Sequence, residues 1–218
     1  MAARSGGAGG ARRILSRRRL IVGGLGIAAA AAFAARVWWI NVNAFDYPER
    51  RYGMGDWVDL DGAFMVYSAW EDTRGYSLCV QDAQVMSRAE YIERYALDPS
   101  GVEETAYDNV PSVLCVTLAM RNQGNPAGGI DLYDMTLVPE GQIRAMRYQA
   151  GLWATSNENV SEDMYSFSLF EDSEYTAQVP YILYGESDED FQHKIRARRF
   201  SFTVSNAPVR NVIDIELA

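Results

Sequence analysis

Histidine is nearly missing from this sequence, with His193 the only one among 218 residues. That scarcity excludes metal centres built on several imidazoles and leaves any serine- or cysteine-based triad dependent on a single side chain. His193 sits beside Lys194, Arg196, Arg198 and Arg199, a context that reads as solvated surface. Lys194 is also the only lysine, a compositional bias rather than a chemical signal. No glycine-rich phosphate loop occurs outside the apolar N-terminal segment. Gly75-Tyr76-Ser77-Leu78-Cys79 lacks the final glycine of a nucleophile elbow, so Ser77 reads as an ordinary strand residue. No catalytic, cofactor-binding or metal-ligating set emerges.

Acidic side chains are missing from the first 40 residues, where all seven basic residues are arginines. The remainder therefore carries 13 basic against 29 acidic residues, 13 − 29 = −16, within a whole-chain net charge of −9. A segment that acidic disfavours nucleic acid and anionic headgroups as partners and favours solubility.

The arginines precede an apolar run. Leu20 to Ile40 contains one charge, Arg36, and its length at about 1.5 Å per residue matches a bilayer core of roughly 30 Å. Arg12, Arg13, Arg17, Arg18 and Arg19 lie before it and Asp46 and Glu49 after it. The positive-inside bias thus predicts a cytoplasmic N-terminus and an exported remainder. Trp38 and Trp39 fall where an interfacial aromatic belt belongs, and Arg36 can snorkel towards headgroups. The alternative is a cleaved export signal: Ser16-Arg17-Arg18-Arg19-Leu20-Ile21-Val22 resembles the twin-arginine pattern, and Ala32-Phe33-Ala34 passes for a small-residue cleavage site. A retained anchor is the preferred reading, because Val37 to Ile40 prolong the run beyond that cut. The organisation expected is a disordered basic head over 1–19, a transmembrane helix over 20–40, a stalk over 41–55 and one extracytoplasmic domain over 56–218.

Short strands separated by turns fill that domain. Asp56 to Leu60 and Ala63 to Trp70, joined by Asp61-Gly62, predict a hairpin with Phe64, Val66 and Trp70 on one face. Tyr76 to Met86 continues as a strand. Ser87 with Glu90 forms a capping box that opens one helix, Arg88 to Leu97, stopped by Pro99. Ser112 to Arg121 is the strongest strand, with Leu114, Val116, Leu118 and Met120 on one face and a central position expected. Ile130 to Val138, Met164 to Phe170 and Tyr175 to Tyr184 follow, Pro180 marking the last as an edge or a bulge. From Glu140 to Asn159 only Leu152 and Trp153 stand out as core. Phe200, Phe202 and Val204 alternate with polar residues, Asn206-Ala207-Pro208 turns the chain, and Ile213, Ile215 and Leu217 alternate again. Eight or nine strands without a βαβ rhythm predict a mainly β, antiparallel two-sheet sandwich.

The strand Val113 to Asn122, its Gly/Asn turn and Ile130 to Val138 are similar to the core of immunoglobulin-like domains of unknown function on membrane- or lipid-anchored cell-envelope proteins of Gram-positive bacteria. Tyr47-Pro48 to Leu60 and the closing pair Phe200 to Ile215 carry the same likeness. It implies an immunoglobulin-like fold and an envelope location and brings no catalytic residues.

Remaining features stay open. An oxidising compartment permits a Cys79–Cys115 bridge, with two buried inert thiols as the equal alternative. Asp56, Asp59 and Asp61, or Glu186, Asp188, Glu189 and Asp190, supply hard oxygen ligands but lack the full calcium-loop spacing, so solvated turns are preferred. Trp57, Trp70 and Trp153 read as core or cross-strand aromatics before they read as a ligand groove. The function expected is a non-enzymatic, single-pass envelope protein whose acidic domain binds an envelope protein or an extracellular ligand. A carboxylate-dependent hydrolase and a structural spacer are the alternatives.

Overall fold

The computed structural model describes residues 31–39, 47–66, 71–101, 112–157, 166–182 and 198–217. The chain divides into two units, Met1–Asp46 and Tyr47–Ala218. In the first, residues 31–39 form helix α1, and each of its residues is exposed. Among the described residues no helix is long and apolar enough to cross a membrane; most of the 20–40 segment expected to do so lies outside them.

The second unit is mainly β. Its strands are β1 (Glu49–Gly53), β2 (Val58–Asp59), β3 (Tyr76–Ser87), β4 (Ser112–Asn122), β5 (Ile130–Asp131), β6 (Thr136–Pro139), β7 (Arg147–Tyr148), β8 (Ser166–Phe167), β9 (Ser173–Ile182), β10 (Arg199–Ser205) and β11 (Arg210–Glu216). Helices α2 (Arg88–Tyr95) and α3 (Ala150–Ala154) interrupt them. One sheet has the order β1-β11-β10-β6, a second β2-β3-β4-β9-β7, and β5 pairs with β8 alone. A bridge between Leu137 and Met146 joins the two larger sheets along one edge.

The period of two in the sequence builds the core. Leu114, Val116, Leu118 and Met120 project from β4 and are fully buried against Phe200, Phe202, Val204, Ile213 and Ile215 of the facing sheet. Burying each such side chain contributes roughly 1.5–3 kcal/mol. Tyr181 meets Phe202 edge-on across the core, ring centroids 5.7 Å apart. The opposite face of β4 is covered too: Val113 and Cys115 pack with Met86, Ile182, Leu152 and Tyr91 of α2. That double burial accounts for the density of apolar residues in β4, which takes the middle place in its sheet as expected. The predicted cap of α2 also forms, Ser87 Oγ accepting from the Glu90 amide at 3.0 Å.

Several expectations are corrected. The sheets are not wholly antiparallel, since β1 runs parallel to β11. The 41–55 stalk is accordingly too long: Glu49–Gly53 belongs to the sheet, its charges facing out while Tyr52 packs against the core. The Asp56–Trp70 hairpin does not form over the described residues. Asp61 and Gly62 adopt the positive φ of a tight turn, 45° and 85°, and Ala63 N donates to Leu60 O at 2.7 Å. Beyond the turn, however, Phe64 bridges to Ala207 in the other sheet. The next two amides donate to a side chain instead of a strand: Met65 N and Val66 N each reach the Glu71 carboxylate at 2.8 Å. Met65 rather than Phe64 or Val66 is therefore buried. Trp70 lies outside the described residues. The strand expected over Ile130 to Val138 breaks in two because Asp131 Oδ1 accepts the Asp134 amide at 3.2 Å and turns the chain. Pro180 lies at neither an edge nor a bulge, for β9 is flanked by β4 and β7. Its carbonyl accepts from Gln149 N at 2.8 Å, so its missing N–H also points towards the short β7 side and removes nothing from the β4 ladder.

Candidate functional site

Outward residues of β1, β10 and β11 cannot enter the core, and the alternation that buries Phe200, Ile213 and Ile215 lifts Arg199, Ser201, Asp214 and Glu216 to the other face. Arg51 of β1 joins them. Its Nε donates to Asp214 Oδ2 at 3.0 Å, Nη1 to Glu49 at 2.8 Å and Nη2 to Ser201 Oγ at 2.8 Å as well as to Asp214 Oδ1. The hydrogen bond to Asp214, then that to Glu49, holds the Arg51 guanidinium above its ordinary pKa. Every nitrogen of this side chain is engaged, so Arg51 serves as a fixed post rather than a free ligand.

Beside that post, where β1 ends, lies a groove of about 560 Å³ lined by Arg51, Met54, Glu140, Arg199, Asp214 and Glu216 among others. Arg199 is held loosely, its Nε and Nη2 both 3.4 Å from Glu216 Oε1. Glu140 approaches Arg199 through the backbone, its amide donating to the Arg199 carbonyl at 2.9 Å. The groove thus offers a carboxylate and a guanidinium at adjacent sheet positions, anchored by a neighbouring ion-pair cluster. Such a surface suits polar recognition of a chain carrying both charges. The chain enters the unit at Tyr47 and β1 runs from there towards the groove, so the groove lies at the end remote from entry.

Residues singled out in the sequence fall elsewhere. Cys79 and Cys115 are both buried and both free. In the β3–β4 register Cys79 faces Ala119 and Cys115 faces Gln84, which separates them by four residues, about 13 Å along the strand. No bridge spans that distance, and the disulfide alternative is removed. Burial pushes the Cys115 thiol up to about 12 and raises that of Cys79 as well, which marks inert thiols. Ser77 donates to Asp59 Oδ1 at 2.5 Å and is a strand residue of β3. Asp56 caps Gly53 N at 2.8 Å, and among the described residues no three His, Cys, Asp or Glu gather as a metal site. Trp57 lies under the Arg121 guanidinium, 4.3 Å from its ring centroid, and Trp153 is core. Arg36, Trp38 and Trp39 sit on α1. Arg17, Arg18, Glu186, Asp188, Glu189, Asp190 and His193 lie outside the described residues.

Two carboxylates are perturbed: the hydrogen bond from Arg74 holds Asp72 below its ordinary value, and Asp131 moves the other way. Burial, with the charges of Asp134 and Glu71 nearby, pushes Asp131 up to about 6 despite amide donors from Asp134 and Tyr133. Glu71, itself buried, is committed to the two backbone amides it clamps. Arg51 was not legible as a post from its local pattern, because its partner Asp214 lies 163 positions away.

Residues 49–211, which hold β1 to β10 and the first two residues of β11, match a model described as a domain of unknown function, DUF5028. The chain belongs to the DUF5028 family. No match is found among curated proteins or solved structures. The DUF5028 span begins at Glu49, the first residue of β1, which agrees with a fold that starts before position 56.

Proposed function

We propose that this DUF5028 protein is a single-pass, membrane-anchored cell-envelope protein whose acidic, immunoglobulin-like domain binds a partner outside the membrane. The groove at the far end of β1 carries the binding reading, because it sets a loosely held guanidinium and a carboxylate on a rigid sheet, at the end away from chain entry. Two facing sheets over one core support the immunoglobulin-like description. The anchor rests on the arginine-rich head and the apolar run Leu20 to Ile40, and the Gram-positive envelope setting rests on the resemblance of the strands from Val113 to Val138. The expected outcome of alkaline carbonate washing is retention in the membrane pellet, with an intact mass of the extracted protein equal to the full chain. A mass lower by about 34 residues would instead show a cleaved signal, and release into the wash would remove the anchor.

A second reading is favoured by one observation, the raised pKa of Asp131 beside Glu71 and Asp134. A carboxylate hydrolase needs both acids free to act on a substrate. Glu71 spends both oxygens on backbone amides, so binding remains the better-supported role. Turnover of an envelope glycan or peptide that disappears in Asp131→Asn would reverse that order.

A further inference from the structure

Phe170 is 90 % exposed at the turn that leads into β9, at the end of the unit opposite the groove. A lone apolar side chain in water is ordinary. What distinguishes this one is how firmly its backbone is held. The buried Asn122 amide donates to Leu169 O at 3.0 Å and to Phe170 O at 3.3 Å. Ser173 Oγ donates to Phe170 O at 2.6 Å, and the Leu169 amide donates to the buried Tyr76 hydroxyl at 3.0 Å. On the far side Asp172, at a left-handed φ of 54°, accepts from Gly124 N at 3.0 Å. Aspartate tolerates that left-handed φ in turns, and the surrounding hydrogen bonds hold the turn in place. Here they fix the backbone that presents the phenyl ring to solvent, so the backbone part of the ordering cost of an anchor has already been met before binding. Next to the tip a hollow of about 330 Å³, lined by Asp72, Arg74, Gly124 and Pro126 among others, adds relief to the surface.

Charge selects the partner. Glu171, Asp172 and Glu174 follow Phe170 closely in the chain and are exposed, Glu174 standing opposite Arg121 in the β4–β9 register, and the guanidinium that lines the hollow, Arg74, is paired with Asp72 at 2.6 Å. An anionic rim opposes anionic headgroups and a second copy of the same acidic surface. It complements lysine and arginine around an apolar pocket. We infer that Phe170 and its acidic rim form a docking tip for a protein partner that offers an apolar pocket rimmed by basic residues. This site is separate from the groove and holds whether or not the chain is anchored.

The test replaces Phe170 with a photo-crosslinking benzoyl-phenylalanine in the full chain, in the cells that make it, with the same probe at Leu97, which is 60 % exposed, as the comparison. The expected result is at least about tenfold more adduct at 170 than at 97, joined to a basic segment of another polypeptide, and a loss of about tenfold on adding Glu171→Lys. Phe170 contributes no core packing, so the thermal midpoint is expected to stay unchanged and Glu171→Lys supplies an independent variant. Adduct no greater than at Leu97, adduct to lipid, to a second copy or to an acidic segment, or yield indifferent to Glu171→Lys, would each overturn the inference.

Discussion

Asp131 couples the fold to pH with a sign opposite to that of most carboxylates. Its folded pKa of about 6 lies above the ordinary 3.8, so between those values the folded state holds a proton that the unfolded state has released. Stability falls as pH rises through that window and is lowest, for this group, above about 6. Because Asp131 is half-exposed, solvent screening keeps the effect small, about 1 kcal/mol. Asp131→Asn is expected to flatten the change in urea midpoint between pH 4 and 7; an unaltered slope would show that the group titrates normally. Asn122 is a stronger determinant. It is 1 % exposed, donates to Asn125 O at 2.7 Å and accepts from Asn125 N at 3.2 Å, besides holding the Phe170 turn. Asn122→Ala leaves these buried partners unsatisfied and is expected to cost about 2–3 kcal/mol in chemical denaturation. Gly75 is fixed by both conformation and space: at φ +76° an added Cβ would stand 2.2 Å from Gln123 O. Gly75→Ala should therefore lower the thermal midpoint more than Gly55→Ala, where the added Cβ meets nothing within 4 Å.

At the scale of elements, β1 is the piece whose role the sequence obscured. Glu49-Arg50-Arg51-Tyr52-Gly53 is charged, short and preceded by Pro48, all features of a linker. It becomes a strand because β11 offers an open edge and because Arg51 can reach Asp214, a long-range pairing that local pattern does not encode. Deleting residues 1–53 is expected to uncover β11 and reduce cooperativity of unfolding, seen as a lower urea m-value and midpoint relative to deletion of residues 1–46. β4, β10 and β11 were legible because each turns an apolar parity to the core between the sheets, β4 burying its other face as well, and α2 because its cap is local. The Asp61-Gly62 turn was legible as a turn, yet its hairpin was not, since Glu71 supplies the hydrogen bonds that a partner strand would have given. The cysteines illustrate the same limit: parity and spacing left pairing open, and the β3–β4 register closed it. Thiol counting after denaturation without reductant should return two free thiols per chain; none would contradict the register.

For the whole molecule, the distribution of charge and the position of the sheets point the same way. The acidic residues lie beyond the apolar run, the β domain receives the chain at one end of β1, and the groove opens at the other. The groove was not legible in the sequence because its lining comes from β1, β10, β11 and the residue after β6, which only the fold brings together. The chain's single lysine makes the sidedness directly measurable. An impermeant amine-reactive label applied to intact spheroplasts, followed by peptide mapping, is expected to modify Lys194 while the N-terminal amine reacts only after lysis. Lys194 remaining unlabelled until the membrane is broken, together with full-length chain in the soluble fraction, would contradict an exported, anchored domain.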